Sequence, residues 1–74
     1  MISKEQVINR LRAAKFRHNR QGKRVDLCRQ DGTGRVVAVP RRDFLPEKTV
    51  QIILAQAGLN KKEIEDFLAT CVKS

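Results

Sequence analysis

The run RVVAVPRRDFLPEKTVQIILAQAGL, residues 35–59, constrains the fold more than any other part of the chain. Arg35 to Val39 is rich in β-branched residues and reads as a strand. Pro40 lacks the amide donor that a sheet ladder needs, so the strand stops there. A basic loop, Arg41 to Pro46, follows, and Pro46 suits a first helical turn, where an amide has no partner to lose. Val50, Ile53, Leu54 and Ala57 then recur at helical spacing, with Ile52 widening the stripe, and predict a helix over 46–57. Gly58 can take the left-handed conformation that closes such a helix.

The flanking sequence supplies the rest of a small domain. Ser3-Lys4-Glu5-Gln6 forms a capping box, and Val7, Ile8, Leu11 and Ala14 trace one helical stripe, predicting a helix over 4–14. Residues 16–20 read as a short strand, Gln21-Gly22 as a turn, and 23–29 as a second strand with a period of two. Its alternation places Val25 and Leu27 on one face, read as the core, and Arg24, Asp26 and Cys28 on the other. Asp31 to Gly34 is a hairpin turn into the strand at 35–39, which is apolar on both faces and is therefore expected to be central or covered. Asn60-Lys61-Lys62-Glu63 is a second capping box, with Leu59 and Ile64 as its hydrophobic staple. Ile64, Phe67, Leu68 and Cys71 stripe a last helix. The predicted class is α+β: a single domain over 1–74, ordered α-β-β-β-α around a three-stranded antiparallel sheet, with an added C-terminal helix.

The 74 residues can bury only a small core, and the charge on them is uneven. Residues 1–42 hold twelve basic and three acidic side chains, a net of +9; residues 43–74 hold four basic and five acidic, a net of −1. A basic half in which arginine outnumbers lysine is the footprint of a phosphate-rich ligand. Three phenylalanines with no tyrosine or tryptophan argue against recognition dominated by base stacking. No apolar stretch approaches a membrane span, and no leader-like segment opens the chain, so a cytoplasmic protein without membrane partners is expected. Cys28 and Cys71 read as two thiols, and with one histidine they make no metal-site spacing; neither metal nor other cofactor is expected.

The Val-Pro step at 39–40, the basic loop, the second proline and the Ala57-Gly58-Leu59 helix end resemble the HicA-like (YcfA-like) toxins, which share the topology of double-stranded RNA-binding domains. The resemblance covers about residues 4–68. It implies an RNA ligand, mRNA in particular, endoribonuclease activity, and a HicB-like antitoxin protein as partner. Members carry a glycine, a small or polar residue and a catalytic histidine at the place of Gly22-Lys23-Arg24-Val25-Asp26-Leu27, where this chain has Arg24. A guanidinium stays protonated and cannot take a proton from a 2′-hydroxyl, although it can stabilise phosphate.

His18, on the preceding strand, is the sole histidine and the candidate catalytic base in place of the missing one. Asp26 can orient a base or form a cross-strand ion pair. The candidate RNA-binding residues are Arg17, Arg20, Lys23, Arg24, Arg41 and Arg42; Arg24, Arg17 or Arg20, and Arg41–Arg42 are expected to converge at the open sheet face and its rim and to contact phosphate without reading sequence. Three readings stay open: a HicA-like RNA-binding toxin that cleaves, a non-catalytic nucleic-acid-binding module, and a protein-interaction domain for an acidic partner.

Overall fold

The computed structural model describes the backbone of residues 1–73 and the side chains of residues 1–19 and 22–71. The elements are β1 (Ile2–Ser3), α1 (Lys4–Ala13), β2 (Phe16–Gln21), β3 (Val25–Gln30), β4 (Val36–Pro40), β5 (Phe44–Leu45), α2 (Glu47–Gln56) and α3 (Lys61–Lys73). The α+β class and the antiparallel sheet β2-β3-β4 agree with the sequence reading. The pair β1-β5 is additional: Ile2 lies opposite Leu45, and Ser3 opposite Phe44. Two residues are too few to show alternation, so this pair left no periodic trace in the sequence.

Helix boundaries follow local chemistry. The Ser3 hydroxyl accepts from the Gln6 amide at 3.2 Å, and the Gln6 side chain accepts from the Ser3 amide at 3.2 Å. The second capping box is complete as well, with Asn60 N–H donating to Glu63 at 2.9 Å and Glu63 N–H to Asn60 at 2.8 Å. Pro46 is the residue before the first turn of α2, and Gly58 closes that helix at φ +93°. The Arg35 guanidinium lies against Gly58, where a Cβ would meet Nη1 at 2.5 Å, and donates to the carbonyl of Gln56.

The helices cover one face of the sheet. Val7, Ile8 and Leu11 of α1, Phe16 of β2, Val37 and Val39 of β4, and Val50, Ile53 and Leu54 of α2 form the core with Leu45, Leu59 and Leu68. Ile64 and Phe67 pack against its edge, whereas Ile52 is 52% exposed and does not belong to the α2 stripe.

Two expectations about the sheet are reversed. The strand 35–39 was expected to be central or covered on its second face, but β3 is central, and β4 is an edge whose second face is open, with Val36 48% exposed there. Val25 and Leu27 were assigned to the core; instead Asp26 and Cys28 are buried and Val25 and Leu27 are only half-buried. The register explains this. Cys28 lies opposite Val37 and Asp26 opposite Val39, and residues directly opposite share a face. The inward valines of β4 therefore carry Asp26 inward with them. Apolar content within a single strand does not identify the covered face when the partner strand is more strongly apolar.

The face assignment is directly testable. Leu11→Ala, at a fully buried position, should lower unfolding stability by about 3 kcal/mol, whereas Leu27→Ala on the open face should cost only about 1 kcal/mol. Urea denaturation of the two variants gives the comparison; equal losses would contradict the assignment.

Candidate nucleic-acid interface

One end of the sheet gathers cations from three segments. The β2-β3 turn at Gly22–Arg24 meets the loop that leaves β4, where Arg41 N–H donates to the Arg24 carbonyl at 2.9 Å. The Arg41 guanidinium donates to the Gly22 carbonyl at 2.7 Å. Gly22 sits where backbone passes close to backbone: a Cβ there would meet the Val25 carbonyl oxygen at 2.7 Å. The start of α1 joins the same end, because Lys4 N–H donates to the Asp43 carbonyl at 2.9 Å. Lys23, Arg24 and Arg42 are exposed there.

Beneath them lies Asp26, whose side chain is 0% exposed. Lys4 Nζ is 3.2 Å from its Oδ2, His18 Nε2 is 3.6 Å from the same oxygen, and Arg41 Nε is 3.6 Å from Oδ1. Among the described residues Oδ1 accepts no hydrogen bond, the Arg41 contact being an ion pair at longer range. A buried carboxylate is costly unless cations compensate it, and here the cations are Lys4 of α1 and Arg41 of the loop after β4. His18 reaches Asp26 diagonally: it lies opposite Cys28, two residues along β3 from Asp26 and on the same face. The register of β2 shifts between His18 and Arg20, so Asn19 is accommodated as a bulge. Lys4, Glu5, Ile8, Asn9, Arg12, His18 and Asp26 line a shallow pocket of about 320 Å³ between α1 and the sheet.

The predicted site residues thus separate into groups. Lys23, Arg24, Arg41 and Arg42 come together at one end, with Arg41 held by Gly22 and Asp26. His18 does not join the open face; it lies on the helix-covered side, beside Asp26. Arg17 is at the far end of β2, opposite Arg29, where its Nε donates to Asp31 at 3.0 Å. Arg17 is therefore not a β2 arginine that joins Arg24, Arg41 and Arg42. The side chain of Arg20 lies outside the described residues.

Lys4 was read only as part of a capping box, and its place in the site was missed. Its role depends on the loop at 41–43 docking against the start of α1, and no sequence spacing encodes that. Asp26 had been recognised as able to orient a base or to form an ion pair, but its burial could not be read from a strand assigned the opposite face. Cys28 is a buried thiol: loss of hydration is the main effect pushing its pKa up, the Asp26 carboxylate adds to it, and Arg12 acts in the opposite direction. Burial also pushes the Cys71 thiol up. Neither is an activated nucleophile.

Among the described residues no helix is long and apolar enough to cross a membrane. Comparison with protein-family models and with curated protein sequences gives no match to this chain.

The compensation of Asp26 can be measured. Lys4→Met should destabilise the protein by about 2 kcal/mol by removing a charged hydrogen bond from a buried carboxylate. The loss should largely vanish in an Asp26→Asn background. Additive losses in a double-mutant cycle would show that the pair does not couple.

Proposed function

We propose that this protein binds RNA in the manner of the HicA-like toxins that its sequence resembles, and that His18, rather than Arg24, is the group able to take a proton from the ribose. The observation that carries the reading is the meeting of the β2-β3 turn and the loop after β4, which brings Lys23, Arg24, Arg41 and Arg42 to one end of the sheet. Such an array holds successive phosphates and leaves the bases unread. The aromatic content supports the same kind of contact: Phe16 is buried and Phe67 half-buried, which leaves Phe44, 56% exposed, as the one available stacking surface among the described residues.

On this reading Arg24 keeps phosphate contact and gives up proton transfer. The HicB-like partner implied by the resemblance would be an acidic protein covering this cationic end. Arg24 also favours a second reading, a nucleic-acid-binding module without cleavage, which would use the same surface and have no need of His18.

Binding to a single-stranded oligoribonucleotide, measured by fluorescence anisotropy across a salt series, tests the interface. Arg24→Ala and Arg42→Ala should each weaken binding and reduce the slope of log K against log salt by roughly 0.7 to 1. Lys62→Ala, at an exposed position on α3, should leave both unchanged. A slope that ignores all three substitutions would place the interface elsewhere. An acidic protein that binds in a manner lost on Arg41→Glu and Arg42→Glu, with no RNA affinity in the unaltered chain, would favour the protein-interaction reading.

A further inference from the structure

We infer that Asp26 is a positioning residue for His18, and that together with Lys4 and Arg12 they form an acid–base site for the ribose–phosphate backbone in the pocket between α1 and the sheet. The inference rests on the RNA-binding reading and assigns the chemistry to particular atoms. Asp26 is fully buried, and its Oδ2 faces both Lys4 Nζ at 3.2 Å and His18 Nε2 at 3.6 Å. Among the described residues, Asp26 is the only acid within ion-pair distance of the histidine. A carboxylate that closes to hydrogen-bond range of one ring nitrogen keeps the proton there, so the other nitrogen presents its lone pair. With Nε2 turned to Asp26, Nδ1 is the nitrogen left to meet a substrate proton. The His18 side chain is 31% exposed, accessible to a ligand yet held by a buried partner.

The surroundings suit a phosphodiester. Lys4 and Arg12 supply positive charge to the pocket, which His18, Asp26 and the exposed Glu5 also line. Lys4 belongs to the segment docked on Asp43, which adjoins Arg41 and Arg42, so an RNA strand held at the exposed cations passes close to His18. Asp26 has a structural role as well, because its carboxylate joins α1, β2 and the loop after β4. What a purely structural carboxylate does not require is a half-open histidine as one of its partners, since Lys4 and Arg41 already supply two cations.

The step balances without a cofactor. His18 Nδ1 takes the 2′-hydroxyl proton as the 2′-oxygen bonds to phosphorus. The bond from phosphorus to the 5′-oxygen breaks, and water gives that oxygen a proton. The resulting hydroxide takes the proton from the imidazolium and resets the histidine. The products are a 2′,3′-cyclic phosphate and a 5′-hydroxyl. Lys4 and Arg12 offset the charge that builds on the phosphoryl oxygens.

The test uses the full chain in two measurements. In NMR spectra with 15N-labelled histidine, the neutral ring of His18 should be mainly the Nε2–H tautomer, and Asp26→Asn should shift that population toward Nδ1–H. In cleavage assays on a single-stranded oligoribonucleotide, His18→Ala should lose about a hundredfold or more in rate while RNA affinity changes less than about threefold. Added imidazole should restore part of that rate. Asp26→Asn should lower kcat about tenfold or more with KM nearly constant. Should Asp26→Asn fail to fold, the unaltered chain's tautomer and the imidazole rescue of His18→Ala decide the matter. A dominant Nδ1–H tautomer, cleavage indifferent to His18→Ala, or RNA bound but never cleaved would each overturn the site and leave RNA binding standing. Absence of RNA binding would remove the underlying reading as well.

Discussion

The fold turns on a carboxylate placed where a carboxylate is expensive. Asp26 is fully buried near one end of the central strand, on the face covered by helices. A lone ion there would be untenable, and it persists because Lys4 and Arg41 compensate it, with His18 approaching from a third segment. Each partner constrains its own segment. Lys4 ties down the first turn of α1, His18 sets the diagonal relation of β2 to β3, and Arg41 clamps the chain as it leaves β4 while also capping the Gly22 carbonyl. One buried charge thus links four elements that apolar contacts alone would leave freer to slide.

The same arrangement organises the surface. Because Arg41 turns inward to Asp26 and Gly22, the exposed cations at that end are chiefly Lys23, Arg24 and Arg42. At the opposite end Arg17 is partly neutralised by Asp31, and Arg29 lies beside it. Arg10 is drawn toward Glu63 at 3.6 Å, an ion pair that ties α1 to α3. The basic half of the chain is therefore not spread as a uniform coat. Part of it holds the fold together, and part is left exposed at one end of the sheet.

Much of the backbone was legible because its signals are local. Both capping boxes, the stop at Pro40, the closure of α2 at Gly58 and the α1 stripe rest on residues within a few positions of each other. The β1-β5 pair was illegible for the opposite reason, since it joins residues 2–3 to 44–45 with no periodicity to reveal it. The inward face of β3 was misread because the decisive residues, Val37 and Val39, are on another strand. His18 could be named as the one residue with the right chemistry, but its neighbours could not.

The sequence by itself determined the approximate spans of the three helices and of β2, β3 and β4, the α+β class, and the concentration of positive charge in residues 1–42. Those properties depend on intrinsic backbone preferences and on composition, and neither needs a distant partner. Tertiary structure alone decided that Asp26 faces the core, that Lys4, His18 and Arg41 surround it, and that Arg17 stands apart from the other predicted cations. Register and docking settle such matters, because the face a strand presents and the neighbours a side chain meets are fixed by the most favourable packing of the whole sheet.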